Sequence, residues 1–245
     1  MTLDDFSTGF DTLLSSYLNT AGFGASSSKA DINLDEYEKS QFLTKAQEEY
    51  AISLYTGKNS YGEGFEATEE LRRYLAPLVE EADLTPITTT NGMPLGVSSS
   101  SKFFSLPDGS NNKPAVWFIT YESVTISDGN CEGHTTQDVF PVRQDEYHKI
   151  KRNPFRGANS RRALRLDLSD NVVEIVSKYT VTKYYIRYLR KLKPIILIDL
   201  GTENSIEEST EASGCELHEA LHQKILELAV RMAIQSRGYK INENK

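Results

Sequence analysis

The chain is poor in cysteine: Cys131 and Cys215 are the only two in 245 residues, far apart and without a CxxC spacing. That excludes a disulfide-stapled fold and a structural zinc knuckle, and it fits a reducing compartment. A chain of this length buries a core without such staples. Long apolar runs are missing as well. No stretch approaches the roughly 20 residues that span a bilayer, and MTLDDFSTGF has neither the basic nor the apolar segment of a secretory signal. The expectation is a protein made in the cytoplasm that does not anchor itself in a membrane. A Walker A loop, GxGxxG, GxSxG and any spaced carboxylate pair are likewise absent, so no cofactor is expected. Hydrophobic residues make up only 38 %, and 13 Tyr and 10 Phe carry much of that share. Aromatic residues are what large interfaces select.

Charge is present in quantity but sorted along the chain. Residues 1–83 carry 16 acids and 6 bases, residues 84–142 carry 5 and 2, residues 143–198 carry 5 and 14, and residues 199–245 carry 9 and 5. A basic block with a net charge of +9 thus sits inside a chain of net charge −8. Solvated charged faces account for such segregation in the ordinary case. The sharper reading is a head-to-tail assembly, in which an acidic surface of one subunit meets a basic surface of the next.

Periodicity predicts an α+β protein. Leu3, Phe6, Phe10, Leu13, Leu14 and Tyr17 form one stripe of a helix over Leu3–Asn19, with Asp4 and Asp5 in its first turn, and AGFGASSSK ends it. A second helix is predicted over Leu34–Tyr55, closed by Gly57, and a third from Glu66 through Val79, weakened by Pro77. From Leu84 the texture changes to alternating β-type residues. Asn91-Gly92 and Asp108-Gly109 are turn signals, AVWFITYESVTI (115–126) is a strand, Trp117 is a core anchor, and His134–Val142 is a further strand. After a short helix over Asp145–Arg152, strands follow at Arg161–Leu168, Val172–Tyr179, the Tyr184/Ile186/Tyr188 segment and Ile195–Ile198, as a meander. An acidic loop then leads to a closing helix over Glu216–Arg237. The predicted organisation is helices over 1–83, an antiparallel β-sandwich or barrel-like domain over 84–200, and an acidic loop and closing helix over 201–245 that packs back.

His218-Glu219-Ala220-Leu221-His222 matches HExxH on a helix, the pattern of a zinc-dependent hydrolase, with two imidazoles one turn apart and a Glu as general base. Against that reading, the motif opens its helix, and the one carboxylate at plausible spacing for a third ligand, Glu243, lies in the tail. An acid in a helix's first turn explains Glu219 equally well, interface or cap roles explain the histidines, and zinc hydrolysis stays as the alternative. Lys149, Lys151, Arg152, Arg156, Arg161, Arg162 and Arg165, interleaved with aromatics, invite a nucleic-acid reading. A pI near 5.2 and the lack of a recognition helix favour subunit contact instead.

FPVRQDEYHKIKRNPFRG, RRALRLDL, VEIVSKY, YYIRYLRKLKPIIL and CELHEALHQKILELAVRMAI, within about the last 110 residues, resemble a family of virion structural proteins of crAss-like tailed phages of Bacteroidales. These are the ring or adaptor proteins that stack between portal and tail. The resemblance implies a non-enzymatic, twelvefold homo-oligomeric ring around the channel through which genomic DNA passes, without sequence specificity. Its implied partners are the portal and other neck and tail rings, and its implied place is the virion, with the host cytoplasm during assembly. Neither cofactor nor metal is implied. On this reading Arg152, Arg156, Arg161 and Arg162 form inter-subunit salt bridges, Tyr184, Tyr185 and Tyr188 pack at the interface, and Glu48, Glu49, Glu69 and Glu70 face the channel. The plainer alternative is that these residues solubilise the subunit and fill its own sheet.

Overall fold

A computed structural model describes residues 1–20, 34–59, 62–87, 101–110, 113–127, 135–168, 171–201 and 204–237. In chain order the elements are α1 (Leu3–Thr20), α2 (Glu36–Thr56), α3 (Glu69–Leu75), β1 (Val79–Leu84), β2 (Lys102–Ser105), β3 (Val116–Ile126), β4 (Thr136–Pro141), α4 (Tyr147–Lys151), β5 (Arg162–Asp167), β6 (Val172–Val176), β7 (Val181–Arg190) and α5 (His222–Ser236). The protein is α+β, with helices first and a helix last, as the periodicity predicts. The chain divides into two compact units, Met1–Leu78 with Leu192–Lys245, and Val79–Lys191. The first holds 22 acids against 12 bases and the second 13 against 15, so the sorting of charge along the sequence becomes a sorting between units.

In the helical unit α1 and α2 both pack on α5. Phe6, Phe10 and Leu14 of α1, Leu43, Ala46 and Leu54 of α2, and Ile225, Leu226, Ala229, Val230 and Ala233 of α5 are buried together as the apolar faces of amphipathic helices. A Cβ on Gly9 would come within 2.8 Å of Leu226 Cδ2, so any larger residue there has to push the Leu226 side chain of α5 aside. Thr2 and Asp5 cap α1 reciprocally, Asp35 and Glu38 do the same for α2, and Gly57, at φ 78°, closes α2 in the left-handed conformation. The third helix is shorter than its predicted Glu66–Val79 span. It starts after the Thr68 cap, tightens into a 3-10 turn at Pro77, and gives way to β1 at Val79.

Ile195–Ile198 is not the buried strand its composition predicts. Ile196 alone forms a β-bridge, Leu197 and Ile198 lie in a bend, and one side of the segment is hydrogen-bonded by a helix. Ser40 Oγ accepts from Leu197 N–H at 3.0 Å, Thr44 Oγ1 accepts from Ile195 N–H at 3.1 Å and donates to Ile195 O, and Gln47 Nε2 donates to Lys193 O at 2.9 Å. Ser40, Thr44 and Gln47 lie four and three residues apart, on one face of α2, and all three are buried. They satisfy backbone groups of this segment that have no strand partner on that side. On the other side Ile196 exchanges both backbone hydrogen bonds with Ser213. That pairing opens an acidic arm. Leu200 N–H donates to Thr210 O at 2.8 Å, and the arm ends where Ile206 and Ser209 pair across Glu207 and Glu208.

Among the described residues of the second unit seven strands form one sheet in the order β1-β7-β3-β4-β5-β6-β2. The sheet is mixed, not purely antiparallel: β4 and β5 run parallel, and all other pairs are antiparallel. The predicted β5–β6 hairpin is present, but the meander is not continued, because β7 inserts between β1 and β3. The barrel-like expectation holds, since the sheet curls until Ile87, just past β1, donates its N–H to Phe103 of β2 at 2.9 Å. Phe104, Val124, Ala163, Val173, Ile175, Tyr184, Ile186 and Tyr188 fill the enclosed face, while Leu164, Leu166 and Val176 pack against Tyr147 of α4 on the other. Trp117 is only half-buried, its ring against Phe118. The predicted Asn91-Gly92 turn, His134, Cys131, Gly129, Asn130, the AGFGASSSK loop and the Gly238–Lys245 tail lie outside the described residues.

Candidate functional site

The link between the parallel strands β4 and β5 carries the basic RNPFRG segment and is built as a rigid knob. Asn153 Oδ1 accepts from Phe155 N–H at 2.9 Å and Arg156 N–H at 3.2 Å, and its carbonyl accepts from Gly157 N–H at 2.8 Å. A Cβ at Gly157 would sit 2.9 Å from Asn153 O and 3.2 Å from Ile150 O, both backbone atoms, so only glycine fits that turn. Asn159 Oδ1 repeats the device for Arg161 and Arg162. Gln137 ties the base of the loop to the sheet by donating to the carbonyls of Asn159 and Ser160. The loop therefore satisfies its own polar backbone and leaves Phe155 85 % exposed. The Arg162 guanidinium lies 4.2 Å from the centre of the Phe140 ring and donates to Phe155 O at 3.0 Å, which completes the knob.

Arg152, Arg156 and Arg161 are exposed on this loop and Arg162 is half-buried. The loop brings all four expected interface arginines together. The tyrosines separate. Tyr184 and Tyr188 are 0 % and 1 % exposed, in the enclosed face of their own sheet, where they cannot also touch a neighbour. Tyr188 donates to Pro114 O at 3.1 Å, and Tyr185 alone is half-buried, edge-on to Tyr121. Glu49, Glu69 and Glu70 are exposed on the helical unit and Glu48 is half-buried. Glu69 pairs with Arg73 at 2.8 Å and Glu70 accepts from the Tyr74 hydroxyl.

Arg165, one of the basic cluster, serves the interior. Its Nη1 lies 2.6 Å from Glu122 Oε1, and the Tyr184 hydroxyl donates to Glu122 Oε2 at 2.6 Å. Burial pushes the Glu122 carboxyl up, and Arg165 and Tyr184 offset part of that. Burial also pulls the Arg165 guanidinium down, but Glu122, Tyr184 and Asp167 together outweigh it and hold it charged. The sequence signal for this triad is Glu122 itself, an acid at an inward position of an alternating strand.

The HExxH residues are spent on structure. His218 caps a 3-10 turn, its Nδ1 accepting from Ala220 N–H, and that turn replaces the regular helix that zinc-binding spacing requires. His222 is buried against Phe6, with Nε2 3.0 Å from Leu217 O and Nδ1 3.1 Å from the Met1 ammonium, so neither nitrogen is available to a metal. Among the described residues no group of three His, Cys, Asp or Glu is placed to hold a metal ion. Burial lowers the His222 pKa. The Leu217 carbonyl and Glu219 oppose that, while the Met1 ammonium and His218 add to it. A histidine depressed in the folded state contributes stability above its ordinary value near 6.5 that is lost as pH falls through the folded value. Stability measured by urea titration is therefore expected to drop over that acidic window in the wild type, and the drop to shrink in His222→Gln. An unchanged pH profile in the variant would refute this assignment. Cys215 is a free thiol, which burial pushes up to about 11.

The knob thus presents an exposed aromatic beside arginines, and the chain's one HExxH match is taken up by capping and burial. The chain belongs to the phage tail ring protein 3/4 family, whose model matches residues 1–245. It is 44 % identical over 240 residues to Ring protein 3 of Bacteroides phage crAss001, covering 97 % of this chain and 96 % of that one. It is 26 % identical over 242 residues to Ring protein 4/5 of the same phage, covering 95 % and 92 %. The protein is thus a tail ring structural protein and a component of the virion. Among the described residues no helix is long and apolar enough to cross a membrane.

Proposed function

We propose that this chain is one subunit of a twelvefold homo-oligomeric ring in the portal–tail connector, joined to the portal and to adjacent rings, through which genomic DNA passes without sequence-specific contact. The observation that carries the reading is the family match over the whole chain, and the sorting of charge between the two units supports it. Contacts between unlike patches are the kind that close into rings. Arg152, Arg156, Arg161 and Arg162 supply the basic side of the subunit contact, and Tyr185 its aromatic edge. The acids of the helical unit, Glu48, Glu49, Glu69 and Glu70, line the channel and keep the phosphate backbone from sticking. Assembly takes place in the host cytoplasm.

The test is the mass of the purified protein in solution, alone and with the neighbouring ring proteins. Twelve copies of the 27.5 kDa chain weigh roughly 330 kDa, and a species of that size is the expected result. A protein that stays monomeric under both conditions would refute the ring. Replacing the four channel glutamates by glutamine is expected to slow DNA ejection from otherwise normal particles; unchanged ejection would remove them from the channel wall.

A further inference from the structure

Resting on the ring reading above, we propose that neighbouring copies dock through two protrusions of this chain: the Phe155 knob of one copy seats on the acidic arm of the next, around Ile198. Among the described residues Phe155, at 85 %, and Ile198, at 52 %, are the two most exposed large hydrophobic side chains. Apolar surface held in water is unfavourable until something covers it. Each side chain is framed by charge of one sign. Arg152 and Arg156 flank Phe155. Asp199 follows Ile198, and the Ala212 N–H bond to Asp199 Oδ1, with Leu200 paired to Thr210, sets Glu211 across the arm from it. An apolar centre with a charged rim is the usual anatomy of an interface anchor, and here the two rims have opposite sign.

Both protrusions are shaped before contact. Asn153 and Asn159 lock the knob, and the arm is held by its backbone pairs and by a tip where Glu207 and Glu208 have φ of 48° and 65°. Left-handed backbone at two successive non-glycine residues is uncommon, and Asn-Gly is what such a two-residue turn ordinarily selects. Two glutamates there are understandable if the tip's charge is used. Preorganised surfaces lose less entropy on docking, which favours a built contact over an incidental one. A second copy is the occupant because one chain carries both halves of the complementary pair, on different patches. That makes the contact heterologous, as ring closure requires.

A charge-exchange experiment tests the contact. Arg152→Glu/Arg156→Glu gives a copy with acids on both sides of Phe155 and an acidic arm; Glu207→Arg/Glu208→Arg/Glu211→Arg, which turns the arm's five acids into a net charge of +1, gives one with a basic knob and a basic arm. Each alone is expected to assemble at least roughly tenfold more weakly than wild type, while an equimolar mixture of the two regains wild-type assembly by alternating copies. All substituted residues are exposed, and recovery on mixing is a result that misfolded variants cannot give. Wild-type assembly with no loss in either variant, or a mixture that stays apart, overturns the docking and leaves the ring standing. So does a loss confined to binding of a different ring protein. A wild type that never assembles overturns both. As a second readout, Phe155→Cys on one copy and Ile198→Cys on another, each with Cys131 and Cys215 replaced by Ser, should be joined by a short bismaleimide only in the mixture.

Discussion

Arg165→Met is expected to lower the unfolding free energy by about 3–5 kcal/mol. The substitution leaves the Glu122 carboxylate, itself only 9 % exposed, without the guanidinium 2.6 Å away that neutralises it, and with Tyr184 as its remaining donor. Replacing both members of the pair, as Glu122→Leu/Arg165→Met, should recover most of the loss, less about 1–3 kcal/mol for the orphaned Tyr184 hydroxyl. Acid should also narrow the deficit of the single variant. A carboxyl raised in the folded state favours folding below its unfolded value and loses that contribution as pH rises through the folded one. Urea unfolding of the variants at neutral and mildly acidic pH decides it. A single variant within about 1 kcal/mol of wild type would mean that the pair is solvated and not the keystone of the enclosed face.

Thr44→Val should cost the helical unit about 2–4 kcal/mol, although it removes one hydroxyl and keeps the shape. The reason is that the hydroxyl serves both the N–H and the C=O of Ile195, a residue with no exposed surface, and a methyl group serves neither. Ser40→Ala should cost less, since it orphans only the Leu197 N–H. Amide hydrogen exchange offers a local readout, with the Ile195 amide losing protection in Thr44→Val before the rest of α2 does. If stability and protection both persist, segment 195–198 has another partner and α2 does not hold its backbone.

The parts of this fold that were legible in the sequence are those fixed by local pattern. The helical spacing of Phe6, Phe10 and Leu14 and the glycine at 57 place α1 and α2 to within about two residues, and the alternation of Tyr184, Ile186 and Tyr188 gives β7. Alternation separates two faces but does not say which is enclosed, so the same tyrosines read equally well as interface and as core. Strand order was illegible because it depends on non-local pairing: nothing in residues 142–161 announces that the loop returns β5 parallel to β4. The segment 195–198 misled because four apolar residues in a row look like a strand whatever satisfies their backbone, and its partners are polar side chains about 150 residues away. At the candidate site the arginines were visible as a charge block, whereas Phe155 was not, since a phenylalanine is read as core until a loop is seen to hold it outside.

The helical unit is made of two segments, Met1–Leu78 and Leu192–Lys245, with the continuous sheet unit between them in sequence. During synthesis α1 and α2 emerge first, yet they must wait for α5, made after the whole sheet unit, before their apolar faces are covered. The ribosome releases the sheet unit, with its basic knob, while the acidic half is still unfinished. The acidic unit is therefore completed only once the segment from Leu192 onward has been made, later than the basic surface of the sheet unit.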